Sequence, residues 1–283
     1  RDFCLSRGLG DVYKRQIFEA MDYSVTAGGK RLRPMLMEAS YEMFGGTDPK
    51  IVEPFMAAIE CIHTYSLVHD DLPEMDDDAY RRGKLTTHKK FGQAMGVLAG
   101  DALLNYAFEI VAKALVAQSG DAKAAKAFEV LACKAGIYGM IGGQVVDVES
   151  EKKNETVERE RLDFIYRLKT GALLEASLMV GAILAGADDA QVKKMEDAGT
   201  KLGLAFQIQD DILDVTSTVE VLGKPIGSDE KNQKATYVSF EGIDKAKQDV
   251  ALFSEEAVAI LEECSGEHAF LRELFLFLIH REK

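Results

Sequence analysis

The chain has 283 residues, 47% of them hydrophobic, with 34 Lys and Arg against 47 Asp and Glu and a net charge of −13. That is too apolar for a disordered chain and ample for a large core, and the acidic balance speaks against a nucleic-acid partner. The four cysteines, Cys4, Cys61, Cys133 and Cys264, form no CxxC pair and no disulfide spacing, which points to core thiols in a reducing, cytoplasmic setting.

In chain order, residues 1–16, RDFCLSRGLGDVYKRQ, carry no helical period. They resemble translated sequencing-adapter read-through and are set apart as a non-native leader, leaving 17–283 as the domain. From Ile17 onward helical patterns dominate and strand alternation is scarce. GGKRLRP (28–34) places Lys30, Arg31 and Arg33 behind two glycines. Arginine offers a fork for phosphate, lysine a point charge, and glycine lets backbone N–H groups approach an anion. Basic helix starts are common, so this segment alone decides nothing.

A helix containing Ile62, Tyr65 and His69 is expected to end at Asp70 and Asp71, because Pro73 disfavours helical geometry at Leu72. The stretch VHDDLPEMDDDAYRRGK (68–84) then holds six acidic side chains between Asp70 and Asp78, followed by Arg81 and Arg82. On an unbroken helix Asp70 and Asp76 would point about 240° apart; a chain that folds back after Pro73 lets them approach. The plain alternative is a solvated loop. A calcium loop is a poor match, since the alternating aspartates, central glycine and final glutamate of an EF-hand are missing.

Val97–Val116 is apolar nearly all round and reads as a central helix. The twelve uncharged residues Ala176–Ala187 read as a buried core helix, too short for a bilayer of roughly 30 Å, so no stable membrane insertion is expected. FQIQDDILDV (206–215) sets Asp210, Asp211 and Asp214 among apolar neighbours. Asp210 and Asp214 lie only about 40° apart on a helix, and such like charges destabilise it unless neutralised. Val250, Phe253, Ala257, Ile260 and Leu261 form one helical stripe. Breaks fall at 44–50, 118–121, 150–156, 185–190 and 216–234, and the five prolines sit near expected helix ends. One all-α domain, a crowded helical bundle, fits this pattern.

Two all-oxygen acidic clusters suit Mg²⁺, which takes one or two carboxylates and completes its shell with phosphate and water. Lys30, Arg33, His63, Arg81, Arg82, Lys169 and Lys224 supply cations near these clusters in sequence. An acidic chain so arranged is built for a polyphosphate with its metal.

GGKRLRP, HDDLPEMDDDAYRRGK, KTGALLE, FQIQDDILDV and GKPIGSDEKNQKATYV together resemble the trans-isoprenyl diphosphate synthase family over about 17–283. The resemblance implies an all-α, single-domain prenyltransferase bundle around a deep apolar cavity. It also implies head-to-tail condensation of isopentenyl diphosphate with allylic diphosphates (dimethylallyl, geranyl) by a cytoplasmic homodimer. Carried over residue by residue, Asp70, Asp71 and Asp76 hold two Mg²⁺ ions, and Asp210, supported by Asp211 and Asp214, holds a third, with Mn²⁺ as a substitute. Lys169, Arg81 and Lys224 grip the allylic diphosphate. Gly29, Lys30, Arg33, His63 and Arg82 grip isopentenyl diphosphate. Thr170 and Gln207 lie near the developing allylic cation, and Gln144 is a further pocket residue. The family has an additional helical segment before the equivalent of Ile17, which this sequence lacks or replaces with the leader.

Tyr65 and Ser66, five and four positions before Asp70, are the expected chain-length residues. In the family that the sequence resembles, a bulky aromatic five before the motif limits growth to fifteen carbons, consistent with Tyr65 excluding a further five-carbon unit from packed space; the resemblance thus implies farnesyl diphosphate as product, with Tyr65 as a mere core aromatic the plain alternative. Geranylgeranyl diphosphate synthase is the alternative, as is an inactive regulatory homologue. A terpene cyclase would lack the second aspartate motif and GGKRLRP, and squalene-type synthases carry different acidic motifs.

Overall fold

The computed structural model describes residues 7–118, 121–153, 158–216 and 236–279. Helices α1 (Arg7–Val25), α2 (Leu32–Met43) and α3 (Pro49–Asp70) precede a two-stranded hairpin, β1 (Tyr80–Arg81) and β2 (Lys84–Leu85). Then come α4 (Thr87–Phe91), α5 (Gln93–Ala117), α6 (Ala122–Ala135), α7 (Met140–Lys153) and α8 (Arg159–Ile165). A π-helical turn, Tyr166–Gly171, leads into α9 (Ala172–Ala185) and α10 (Asp189–Thr216). α11 (Tyr237–Glu241), α12 (Ile243–Glu262) and α13 (Ala269–Ile279) follow. The fold is all-α, as the sequence pattern predicts; of the expected breaks, 44–48 and 186–188 fall between helices, 150–153 is instead helical, and 217–234 lies outside the described residues.

Two compact units share the chain: Arg1–Arg31 with Ala57–Lys113, and Leu32–Met56 with Ala114–Lys283. In the first, α1 is tied to α4 and the hairpin. Ser24 Oγ and Thr87 Oγ1 are 2.8 Å apart, and the Tyr23 hydroxyl donates to the Leu85 carbonyl at 2.7 Å. The hairpin pairs Arg81 with Lys84, leaving Arg82 and Gly83 as a two-residue loop with φ of 54° and 75°. Positive φ at both loop positions matches the right-handed twist of the strands.

The second unit is organised around α9. All of Ala172–Leu178, Val180 and Gly181–Leu184 are buried. α2, α6 and α10 pack around it, and α12 and α13 pack against α10. Full burial of Leu173, Leu174 and Leu178 stabilises this unit by about 1.5–3 kcal/mol each. Gly186, at φ 94°, closes the helix with a left-handed cap. The stripe expected near the C-terminus lies on α12, with Val250, Ala257 and Leu261 buried.

Several expectations are corrected. Residues 7–16 are helical: α1 starts at Arg7, because extending an existing helix costs far less than nucleating one. Pro54 lies inside α3, past its first turn. α5 is not central. It buries the stripe Ala99, Leu103, Ala107, Val111 and Ala114, while Val97, Leu98, Tyr106 and Val116 are exposed. Its apolar surface exceeds what the chain itself covers. Pro49–Asp70, Gln93–Ala117 and Arg159–Ala185 are each long and apolar enough to cross a membrane, by length and composition. The twelve-residue limit therefore holds only for a wholly uncharged run. Within the protein, 56% and 72% of the apolar windows of the first and third stretches are buried, against 33% for α5.

Candidate active site

The candidate residues are distributed over both units. In the first, His63, Tyr65 and Ser66 lie on α3, and Asp70 is its last residue. The chain then folds back as Pro73 requires: the Asp76 N–H donates to the Asp70 carbonyl at 2.9 Å, and the Met75 and Asp77 N–H groups donate to Leu72 O at 2.9 and 3.0 Å. Asp70 and Asp76, six apart in sequence, are thereby neighbours. Asp77 adopts φ 48° at this reversal.

Asp71, 3% exposed, accepts at Oδ1 from Arg81 Nε (2.7 Å), with Arg81 Nη2 at 2.6 Å. Burial pushes its carboxyl above the ordinary range, and Arg81 only partly offsets the shift. Burial lowers Arg81 too, yet the Asp71 bond carries the guanidinium above its usual value. The pair lines a small cavity with Ser24, Thr64, Arg82 and Thr87.

Gly28 and Gly29, with φ of 102° and 120°, and Arg31, at φ 53°, form the basic turn. Arg82 donates to the Gly28 carbonyl, and a Cβ at Gly29 would overlap the Arg82 guanidinium. The φ of 120° itself favours glycine at this position, where Arg82 crosses the turn that carries Lys30. Arg31 is tied to Glu60 and the Val25 carbonyl. Three non-glycine residues with positive φ, Arg31, Asp77 and Arg82, fall on candidate segments, as strain at functional sites does.

Tyr65 is 6% exposed, its ring set edge-on to His69 at 5.7 Å. Its hydroxyl is buried without a hydrogen-bond partner among the described residues. Burial, then the Asp70 charge, pushes its phenol up to about 12.

In the second unit, Arg33 lies in the first turn of α2, Gln144 on α7, Lys169 and Thr170 in the π turn, and Gln207, Asp210, Asp211 and Asp214 on α10. Thr170 Oγ1 donates to Gln207 Oε1 at 2.8 Å, joining the two residues expected at the allylic cation. Lys169 Nζ reaches Asp147 Oδ2 at 2.6 Å. Asp147 was not singled out in the sequence, although it lies three residues after Gln144 and so on the same helix face. Gly143 lets α7 approach so closely that a Cβ there would overlap the Lys169 backbone nitrogen. Asp211 accepts from the Tyr166 phenol at 2.5 Å and from the Tyr237 N–H at 2.7 Å. Tyr166 was not singled out in the sequence, and Tyr237 stood only within the quoted GKPIGSDEKNQKATYV stretch, with no role given to it. Lys224 lies outside the described residues.

Among the described residues no three His, Cys, Asp or Glu side chains form a ready-made metal cage. The donor chemistry nevertheless fits Mg²⁺, whose shell is completed by phosphate and water rather than by an all-protein cage. Asp214, 3% exposed, has a buried Oδ1 without a hydrogen-bond partner among the described residues. Asp71 remains short of compensating positive charge despite Arg81. Both are sites where a bound cation would reverse the local balance.

The polyprenyl synthetase family matches residues 14–270. A farnesyl diphosphate synthase of Geobacillus stearothermophilus is 45% identical over 253 residues, which are 89% of this chain and 84% of that protein. A geranylgeranyl diphosphate synthase of Cyanophora paradoxa is 48% identical over 241 residues, 85% of this chain and 79% of that one. The crystal structure of a geranyltransferase from Helicobacter pylori, complexed with magnesium and isoprenyl diphosphate, matches with a TM-score of 0.81 at 34% identity, covering 93% of this chain and 86% of the other.

Proposed function

The chain belongs to the polyprenyl synthetase family, and from that premise we propose that it joins isopentenyl diphosphate head to tail to dimethylallyl and geranyl diphosphates, with farnesyl diphosphate as main product. The observation that carries this reading is the reversal at Pro73, which makes Asp70 and Asp76 neighbours, together with the buried Asp214 oxygen on the second aspartate motif. Asp70, Asp71 and Asp76 would hold two Mg²⁺ ions, and Asp210, with Asp211 and Asp214 in support, a third; Mn²⁺ would substitute. Bound there, the metal neutralises the negative charge that grows on the leaving diphosphate.

The protein's own groups do the rest. Lys169, Arg81 and Lys224 bind the allylic diphosphate, and Asp147 orients the Lys169 ammonium. Gly29, Lys30, Arg33, His63 and Arg82 bind isopentenyl diphosphate. The allylic C–O bond breaks, its electron pair leaving on the diphosphate. The isopentenyl double bond attacks the cationic carbon, and a proton then departs to the released diphosphate, so no side-chain base is needed. Thr170 commits its proton to Gln207, so the hydroxyl presents lone pairs, not positive dipole, to a nearby cation. Water must be excluded throughout, or the cation becomes an alcohol.

The exposed apolar face of α5, with Val97, Leu98 and Tyr106, supports a homodimer, and the acidic sequence, with neither CxxC pairs nor disulfide spacing, supports a cytoplasmic setting. Residues 1–16 are proposed to be dispensable for catalysis even though α1 begins at Arg7; a chain starting at Ile17 should keep its rate. The second reading, a geranylgeranyl diphosphate synthase, is favoured by the 48% identity to the Cyanophora paradoxa protein. Incubation with labelled isopentenyl diphosphate, each allylic primer and Mg²⁺, followed by chromatography of the products, decides between them. No turnover with any primer would instead favour an inactive homologue.

A further inference from the structure

Asp211 is 4% exposed, and its Oδ2 collects two donors: the Tyr166 phenol at 2.5 Å and the Tyr237 main-chain N–H at 2.7 Å. The same N–H also lies 3.3 Å from Tyr166 Oη. The π turn, α10 and the first residue of α11 therefore meet at one oxygen. The first N–H groups of a helix have no acceptor within it; Asp211 supplies one for α11. Tyr237 is held at its far end as well. Its hydroxyl donates to Asp249 Oδ2 at 2.7 Å, and Arg159 covers its ring at 4.0 Å.

Four residues along each element lies the second link, Thr170 to Gln207 at 2.8 Å. Tyr166 faces Asp211 and Thr170 faces Gln207, so the two elements run antiparallel with a bond at each end. Between those bonds sit Lys169 on one element and Asp210 on the other. Hydrogen bonds to a carboxylate are roughly twice as strong as neutral ones, and a π turn persists only where its surroundings over-determine it.

We propose that Tyr166 is a positioning residue for prenyl transfer: through Asp211, and against Tyr237, it sets the register between the π turn that carries Lys169 and Thr170 and the α10 segment that carries Gln207 and Asp210. Asp211 is the anchor of this register. Asp210, about 100° further round the helix, is left to serve the ligand. The proposal rests on the assignment of Lys169 and Asp210 to the diphosphate and its metal.

Tyr166→Phe removes one oxygen and keeps the ring. Measured well below the melting temperature of either protein, its kcat should fall by about tenfold or more, because small misplacements of reacting groups are costly, while KM for isopentenyl diphosphate changes less than about twofold. In the metal-free protein, the Tyr237 amide of this variant should exchange its proton at least about tenfold faster. Asp211→Asn retains an acceptor oxygen. It should therefore keep Tyr237 exchange within about threefold of wild type. Wild-type kcat in Tyr166→Phe, whether or not its melting temperature falls, overturns the proposal. So does a Tyr237 amide that exchanges no faster in Tyr166→Phe than in wild type. Full activity in Lys169→Ala and Asp210→Ala would instead overturn the site assignment itself, a separate result.

Discussion

Lys169 and Asp147 face each other at 2.6 Å, an ion pair between the π turn and α7 with both side chains largely withdrawn from solvent. A lysine on a flexible stem pays entropy for any fixed geometry; a carboxylate behind it removes much of that cost before substrate arrives. Lys169→Met should lower kcat by about 10²-fold, the scale of one electrostatic group lost from the transition state. Asp147→Asn should lower kcat/KM for the allylic substrate about tenfold, mainly through KM, because the ammonium survives but is no longer aimed. Equal rates in Asp147→Asn and wild type would show that the pair has no part in binding.

Metal dependence follows from the acidic ends. Chelation of divalent ions should abolish turnover, and Mg²⁺ or Mn²⁺ should restore it. Asp70→Ala and Asp210→Ala should each lower kcat by about 10²-fold or more at saturating Mg²⁺. Undiminished turnover in excess EDTA would rule this out.

Tyr65 gives a two-part prediction. Tyr65→Ala should open space and move the product from fifteen carbons toward twenty, read by chromatography; an unchanged distribution means that another side chain ends the chain. Tyr65→Phe separates bulk from polarity. Its hydroxyl is buried without a hydrogen-bond partner among the described residues, so removing it should leave the product unchanged and stabilise the protein by about 1 kcal/mol, measured by urea unfolding. A loss of stability would reveal a bond to the phenol.

The second unit contains a buried ion network of purely structural kind. Lys134 contacts Glu175, which is 1% exposed, and Glu196 at 2.7 Å, while Thr200 donates to Glu175 at 2.7 Å. Lys134→Met should destabilise by about 3–5 kcal/mol, since it leaves a buried carboxylate uncompensated, and a further Glu175→Met should recover much of the loss. The network has a pH signature. Burial pushes the Glu196 carboxyl up, but Lys134 and Lys193 more than offset this and hold it below its ordinary 4.5. A depressed folded-state value means stability that is present above 4.5 and lost as pH falls through the lower folded value. Wild type should therefore lose stability in that acid window more steeply than Lys134→Met.

What was legible in the sequence was whatever is local. The aspartate motifs, the reversal at Pro73, the buried run of α9 and the helix breaks all follow from spacing, proline geometry and apolar pattern within a few residues. Thr170 and Gln207 were named through resemblance; their direct bond is a structural fact. Asp147, Tyr166 and Tyr237 escaped because their partners lie 22, 45 and 26 residues away, and nothing local marks such pairings. α5 misled for a different reason: apolarity all round implies cover, but not that the same chain provides it.

The π turn at Tyr166–Gly171 has a consequence for chain length. Its wider winding takes up one residue more per bond than an α-helix does, so it offsets the angular phase of α8 relative to α9 by about 100°. α9 is locked by burial on every side, and α8 carries the Arg159 that covers the Tyr237 ring. Deleting Leu168 alone would restore regular winding and swing Arg159 and the Tyr166 phenol off their targets, with no charged or catalytic group removed. At this point the number of residues is as consequential as their identity.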